Sequence, residues 1–342
     1  MSARLSFGAS SNRTVVCIYL LGGNDSNNMI VPLDSPAYNA YARGRGALEL
    51  ARSVLLPVQG TPSATYGFHP NLAGLRDLYN QNAVAVVASV GRVAPDHTIS
   101  GDAGDHAREM QLSYLPDGYL AIPWAAAESN TVLSLAHGVS LAAPDADTVR
   151  HSGLVRAVAA AAAEATLPNT SLGRQLGTVL SALKLGAFRQ HAFLVPFAGF
   201  ETNRDQLSAQ AALFGELDDA LVEFYRALRD LGLSNGVTIY TDTEFSRTLV
   251  PNKLGGTGHA WGGHQLVLGS STLGGQIYGQ FPSLEVGGPD DVAGNGTWAP
   301  STSNAQYAAT LAYWYGKTDL ADVPQYAASA GAMESRLGFL MN

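Results

Sequence analysis

The chain has few of the residues that mark several protein classes. Only one of its 342 residues is a cysteine, Cys17, so no internal disulfide can form, and its apolar setting predicts a buried thiol. Charged residues make up 14% of the chain, and the Lys and Arg residues are scattered. With a net charge of −8, this distribution argues against nucleic acid as a partner.

Several signatures are also missing. No run is long and apolar enough to span a membrane, and the opening MSARLSFGASSNRT lacks the apolar core of a signal peptide. These features leave open a cytoplasmic protein or one whose leader has been removed. The chain has no P-loop, no G-x-G-x-x-G and no G-x-S-x-G, so nucleotide binding and serine hydrolysis of those types have no support.

The chain does contain alternating strand and helix patterns. Short apolar runs predict strands at TVVCIYLL, AVAVVASVG, TVLSLAHG, HAFLVPFAGF, GVTIYTDTEF and GHQLVLGSS. Helical spacing is present at 72–82, at 150–190 with a break at TLPNTSLG, at 205–231, and after STSN. The predicted class is α/β, with a mostly parallel central sheet flanked by helices. We expect one domain, 1–342, with a helical insertion near 140–190 and a flexible segment 1–13.

Polar residues follow three of the predicted strands. They are Asp25 in GGNDSNN, Glu201 in GFETNRDQ, and Glu244 and Arg247 in TDTEFSRT; His259 follows in GTGHAWGGH. Because the carboxyl ends of parallel strands meet at one edge of a sheet, these segments are expected to converge there. Carboxylates and imidazoles together are ligands for zinc, manganese or a similar ion. The alternatives are a turn at Asp25 and exposed loop carboxylates that pair with Arg247.

A nucleophile for ester hydrolysis is offered by the segment APDHTISGDAGDH. It contains Thr98 and Ser100 beside His97 and Asp102, and it follows the predicted strand AVAVVASVG. The alternative is a polar loop that enters a helix.

Six segments in this order resemble the bacterial family named domain of unknown function 1501 (DUF1501). They are VVCIYLLGGNDSNNMIVPLD, FHPNLAGLRDLY, GFETNRDQ, VTIYTDTEFSRT, GTGHAWGGHQLVLGSSTLGGQIYGQFP and AQYAATLAYWYG. The resemblance covers most of the chain. It implies an alkaline-phosphatase-like and sulfatase-like fold, with divalent metals at the carboxyl edge of a parallel sheet. It also implies a twin-arginine leader and a periplasmic or secreted location.

The resemblance assigns roles to single residues. Asp25 matches the first metal-binding aspartate, and Glu244 stands where the family has a Ser-Asp-Phe or Ser-Glu-Phe motif. The family commonly reads G-F-D-T-H where this chain has GFETN, so Glu201 replaces an aspartate and Asn203 replaces a histidine.

The second departure lies in GTGHAWGGH, where Gly258 occupies the position of a usual aspartate while His259 and His264 match. Because two good ligands are lost, a full two-metal site is not expected. The expected alternatives are a metal-free pocket or a single zinc, manganese, calcium or magnesium ion. The ligands of that ion would be Asp25, Glu201, Glu244 and His259.

Three functions follow as hypotheses. The first is metal-dependent hydrolysis of a phosphate or sulfate ester, in which Ser100 or Thr98 attacks, Arg247 holds the anionic group, and His264 acts in acid–base catalysis or as a ligand. The second is binding of a ligand or partner without hydrolysis. The third is a different metal-dependent enzyme that acts on a peptide or small metabolite.

Overall fold

The computed structural model describes residues 13–61, 64–91, 132–134, 138–142, 154–162, 167–185, 191–316 and 336–341. Ser100, Thr98, His97 and Asp102 lie outside these residues, as does the predicted flexible segment except for Arg13. The predicted helical insertion near 140–190 is described in part.

Among the described residues, the six predicted strand segments and the predicted helices are present, while eight further strands and the helix Ser35–Arg45 are not anticipated by the sequence patterns. The strands are β1 (Thr14–Leu21), β2 (Ile30–Pro32), β3 (Leu56–Thr61), β4 (Ala64–Phe68), β5 (Val84–Gly91), β6 (Val132–Ser134), β7 (Ser140–Ala142), β8 (His191–Ala198), β9 (Val237–Thr243), β10 (Ser246–Arg247), β11 (His259–Ala260), β12 (Gly263–Leu268), β13 (Ile277–Tyr278) and β14 (Thr302–Ser303). The helices are α1 (Ser35–Arg45), α2 (Ala73–Asn80), α3 (Leu154–Ala162), α4 (Ser171–Lys184), α5 (Gln206–Asp230) and α6 (Asn304–Tyr315).

Nine strands form a central mixed sheet, in the order β13-β5-β12-β9-β1-β8-β7-β6, with β14 also paired to β5. Its centre, β9-β1-β8, is parallel, whereas β12 is antiparallel to both β9 and β5. The predicted α/β class is confirmed, but the sheet is mixed rather than mostly parallel. The reason is local: no helix crosses back between β9 and β12, so the chain re-enters the sheet at the edge where β9 ends.

The central strand β1 is buried on both faces. Val16, Ile18 and Leu20 belong to one apolar cluster, while Val15 and Cys17 belong to another. This alternation explains the continuous apolar run, because a strand covered on both sides needs no polar face. The prediction of a buried Cys17 thiol is confirmed.

Helices pack on both faces of the sheet. Leu75 of α2, Leu176 of α4 and Phe214 of α5 join the Ile18 face. Leu311 of α6 joins the Cys17 face. The predicted start of α6 is a capping box, in which Ser303 and Gln306 satisfy each other's backbone N–H groups. Within the described residues, no helix has both the length and the apolar character needed to cross a membrane.

Candidate functional site

Three adjacent parallel strands end at the same edge of the sheet. In the pairing register, Leu21 of β1 lies opposite Ala198 of β8, and Leu20 lies opposite Thr243 of β9. The structure therefore brings the segments after β1, β8 and β9 together, as the strand-end pattern predicts.

Two glycines after β1 allow these segments to approach closely. Gly22 and Gly23 have φ of 107° and 82°, in the region that favours glycine. A Cβ on Gly22 would collide with the backbone nitrogen of Glu201, and one on Gly23 would collide with the Phe245 ring. The GG pair is therefore required by packing as well as by the turn.

Arg247 joins the three segments from the inside. Its side chain is fully buried, and each guanidinium nitrogen donates to a backbone carbonyl. The acceptors are the carbonyls of Gly22, Gly23, Phe200 and Thr257, at 2.6, 2.8, 3.1 and 2.8 Å. Arg247 is thus committed to fixing the edge of the sheet, and because its side chain is fully buried, it would have to leave this position to hold an anionic ester.

Glu201 and His259 form the exposed rim of the site. Glu201 Oε1 lies 2.9 Å from Arg247 Nη2 and 3.3 Å from His259 Nε2. The side chains of Glu201 and His259 are 48% and 39% exposed, and the His259 ring packs 4.0 Å from the Phe245 ring. Burial acts to raise the pKa of Glu201, but the bond and charge of Arg247 outweigh it, so the pKa lies below its ordinary value. Glu201 is therefore ionised at neutral pH. Its position corresponds to the alternative interpretation of the sequence, in which an exposed loop carboxylate pairs with Arg247.

Glu244 lies beneath this rim and is 7% exposed. Its Oε2 accepts the backbone N–H groups of Gly22 and Gly23 at 2.8 and 3.2 Å. Burial raises the pKa of Glu244, and the nearby charge of Glu201 adds to this rise, although the backbone donors act against it. The two carboxyl groups therefore have pKa values shifted in opposite directions within one site.

Asp25 is closed off by protein donors. Its Oδ2 accepts Arg45 Nη2 at 2.5 Å and Gln206 Nε2 at 2.6 Å. Its Oδ1 accepts both the backbone and side-chain N–H groups of Asn27 at 3.0 Å. The Asp25 and Arg45 side chains are both 0% exposed, so the carboxylate is already neutralised by a buried cation. A metal ion at Asp25 would have to displace Arg45, and this donor set does not fit a two-metal centre.

His264 lies in the interior at the start of β12. The ring Nδ1 accepts a hydrogen bond from the Ser89 backbone N–H at 3.1 Å, and the ring stacks on Phe281. The backbone N–H of His264 donates to Ser26 Oγ. Burial lowers its pKa to about 3. The ring is therefore neutral near pH 7 and held by packing rather than displayed at the rim.

The two positions at which the resemblance implies a lost ligand are open to solvent. Asn203 and Gly258 are exposed, and a Cβ on Gly258 would make only ordinary contacts with Thr248. The structure has room for the usual carboxylate there. Among the residues that the structure describes, no group of three or more His, Cys, Asp or Glu side chains is arranged to hold a metal ion.

The residues that close Asp25 are not among the candidates that the sequence motifs predict. Arg45 lies 20 positions away, at the end of α1, and carries no local signal of its role. Gln206 is the last residue of the GFETNRDQ segment, so its place in that motif is a signal of its role. Thr257 Oγ1, at 2.6 Å from Gln206 Oε1, completes this inner layer.

A groove of about 450 Å³ lies elsewhere, between α2 and α5. Asp77, Tyr225 and Arg229 are among its lining residues. It contains none of the predicted site residues, and the chemistry-bearing side chains at the sheet edge are the better basis for a functional site.

Comparison with known proteins gives one family. Residues 135–293, a little under half of the chain, match the family model described as a protein of unknown function (DUF1501). The matched region includes the rim from Glu201 to His264 but not Asp25 or Ser100. This match supports the family resemblance. No curated protein matches the chain.

Proposed function

We propose that the chain binds a polar small molecule at the carboxyl edge of its sheet and does not hydrolyse phosphate or sulfate esters through a two-metal centre. The observation that carries this proposal is the closure of Asp25. Both of its carboxylate oxygens accept hydrogen bonds from buried protein groups, and Arg45 supplies the compensating charge. Of the three hypotheses, the geometry favours ligand binding without hydrolysis.

The other residues assigned to hydrolysis support the same view. Arg247 donates to four backbone carbonyls, so it is occupied where an anionic ester would need a free guanidinium. His264 is buried and neutral, which suits packing better than proton transfer with a ligand at the rim.

The ligand class follows from the groups at the rim. Ionised Glu201 is a pure acceptor of hydrogen bonds, and Glu244 adds a second carboxyl group beneath it. The net charge of −8 attracts cations and repels anions. We therefore expect a ligand that presents amine or hydroxyl donors rather than a phosphate or sulfate group.

The hydrolytic part of the proposal is tested with p-nitrophenyl phosphate and p-nitrophenyl sulfate. Purified protein is stripped with chelator and then supplied with zinc, manganese, magnesium or calcium. We expect no turnover above a protein-free control containing the same metal. Metal-stimulated turnover that is lost in Asp25→Ala would overturn the proposal.

The binding part is tested by thermal unfolding and calorimetry with putrescine as the cationic probe and sorbitol as the neutral one. We expect at least one of them to raise the melting temperature of the wild type. Glu201→Gln should reduce the rise, because it removes charge at the rim without changing side-chain shape. Asp219→Asn, an exposed substitution on α5, is the matched control. Equal shifts in Glu201→Gln and the wild type would place binding elsewhere.

A second candidate is a hydrolase in which Glu201, Glu244 and His259 rearrange to hold one divalent ion. It is favoured by the 3.3 Å approach of Glu201 to His259 and by the influence of the Glu201 charge on Glu244. Such an ion, when bound, polarises an ester oxygen. Ser100 is the nucleophile in this candidate. His259→Ala should abolish any calorimetric zinc binding if this candidate is correct.

The missing ligands offer a gain-of-function test of the same candidate. Asn203→His with Gly258→Asp restores the residues that the resemblance implies at two exposed positions, and a Cβ at position 258 meets only ordinary contacts. We expect this double variant to bind zinc more tightly than the wild type. The alkaline-phosphatase-like superfamily and export to the periplasm remain proposals from the resemblance, and fractionation of the native cells tests the latter.

A further inference from the structure

The Glu201 carboxylate has one committed oxygen and one open oxygen. Arg247 Nη2, His259 Nε2 and Asn203 Nδ2 all approach Oε1, at 2.9, 3.3 and 3.5 Å. Within the part of the chain that the structure describes, no donor is bonded to Oε2. Because the side chain is ionised and 48% exposed, Oε2 is an anionic acceptor that a ligand can reach at the rim.

The His259 ring beside this carboxylate has one covered face and one open face. The covered face packs on the Phe245 ring, with the ring centres 4.0 Å apart and an interplanar angle of 31°. Phe245 is 1% exposed, whereas the His259 side chain is 39% exposed. The preceding residue, Gly258, has no side chain that could cover the ring. The accessible surface of His259 therefore includes the face turned away from Phe245.

One guanidinium already lies in this arrangement. Arg247 Nη2 pairs with Glu201 Oε1, and Arg247 Cζ lies 5.8 Å from the centre of the Phe245 ring, within the range of a cation–π contact. Arg247 thus uses one carboxylate oxygen and one aromatic ring from the buried side. On the exposed side, Oε2 and the open face of His259 offer a second acceptor and a second ring.

We propose that the rim binds the planar cationic head of a ligand, a guanidinium or amidinium group, which donates to Glu201 Oε2 and stacks on the open face of His259. A guanidinium is flat and weakly hydrated, and its N–H donors lie in its plane, so it makes both contacts at once. An ammonium group is a compact, strongly hydrated charge that pairs with the carboxylate without stacking on the ring. This inference rests on the proposed function and narrows its ligand class to planar cations.

The charges at the rim favour a cation at Oε2. Burial raises the pKa of Glu244, and the nearby negative charge of Glu201 adds to that rise. A cation bound at Oε2 offsets this charge, whereas an anion would add to it. The net charge of −8 acts in the same direction, because it attracts cations towards the protein.

The test compares agmatine with putrescine by calorimetry at pH 8, where histidine side chains are ordinarily neutral. Agmatine is putrescine with an amidino group on one amine, so the two probes share a carbon chain and a total charge. We expect the wild type to bind agmatine with a Kd about fivefold lower than that of putrescine. His259→Asn keeps an amide donor for Glu201 but removes the ring, so it should bind both probes equally. Glu201→Gln should weaken the binding of both.

Proton NMR of the imidazole Cε1–H signals gives a second measurement on the same site. The His259 signal is the one that His259→Asn lacks. Agmatine should shift this signal in a saturable manner through stacking, and putrescine should shift it less. Asp219→Asn, the exposed substitution on α5, is the matched control and should keep the preference for agmatine.

The possible outcomes separate this inference from the proposed function. Equal binding of agmatine and putrescine by the wild type overturns the inference and leaves the proposed function standing. A preference for agmatine that persists in His259→Asn also overturns the inference, because the ring is then not its source. No binding of agmatine, putrescine or sorbitol overturns both. Ester hydrolysis together with a preference for agmatine that depends on His259 supports the inference and overturns the non-hydrolytic part of the proposed function.

Discussion

The Asp242 carboxyl group lies where burial disfavours its charged form. It lies near the end of β9, the strand that also contributes Tyr240 to the apolar cluster beneath α6. Its Oδ1 accepts a hydrogen bond from the Thr243 backbone N–H at 2.9 Å. Burial raises its pKa to about 7, and the charge of Glu244 contributes in the same direction. We predict that Asp242→Asn stabilises the protein above pH 7.

The sign follows from proton linkage. In the unfolded chain the carboxyl ionises near pH 3.8, whereas in the folded chain it stays protonated up to about pH 7. Between these values the folded state binds more protons, so stability falls as pH rises, and above pH 7 the full penalty remains. A shift of about three pH units corresponds to at most about 4 kcal/mol. The partial exposure of the residue makes the measured gain smaller.

The assay is urea unfolding of the wild type and Asp242→Asn at a series of pH values from 4 to 8. Asparagine keeps the side-chain oxygen that accepts the Thr243 N–H, so the comparison isolates charge. The difference in unfolding free energy between the two proteins should be small at pH 4 and grow towards pH 8. Asp219→Asn controls for loss of one surface charge. A difference that stays constant with pH would refute the reasoning.

Three further predictions concern the same edge and its supports. Arg247→Ala should lower the unfolding free energy by about 3–5 kcal/mol, because it leaves four backbone carbonyls and Glu201 without their donor. Glu201→Gln, at the exposed end of the same ion pair, should lower it by only about 0–1 kcal/mol. Urea unfolding of the two variants and the wild type measures both changes. The His264 ring has a pKa near 3 in the fold and near 6.5 in the unfolded chain, so the wild type loses unfolding free energy as the pH falls from 6.5 to 4. His264→Asn should make this dependence on pH smaller. An unchanged slope of unfolding free energy against pH would contradict the prediction. Ser303→Ala should cost about 1 kcal/mol by removing the α6 cap, measured by thermal unfolding, and Ser303→Thr should retain most of it.

The sequence predicts the central strands well because they are buried on both faces. The run around Ile18 is almost continuously apolar and buried, and β5 is buried along its whole length with Ser89 as its polar residue. The order in which the strands pair is not predicted by the sequence, because it depends on contacts between distant segments. The antiparallel entry of β12 cannot be deduced from GHQLVL itself, because the same apolar run fits either direction.

The strand-end rule locates the site but not the partners of its residues. It brings Glu201, Glu244 and Arg247 to one edge, and the structure places them there. It does not reveal whether a carboxylate faces a metal, a backbone N–H group or an arginine. Glu201 faces an arginine and Glu244 faces backbone donors, and only the folded arrangement distinguishes them.

Two arginines pair with carboxylates that the motif pattern predicts as metal ligands. Arg45 pairs with Asp25 in the interior, and Arg247 pairs with Glu201 at the rim. A metal ion and a guanidinium both balance carboxylate charge, but the guanidinium offers directional N–H donors and no vacant coordination position for water or substrate. Arginine donors therefore suffice to fix the loops of this site. Under the proposed function, which has no two-metal centre, neither a carboxylate at position 258 nor an imidazole at position 203 is required.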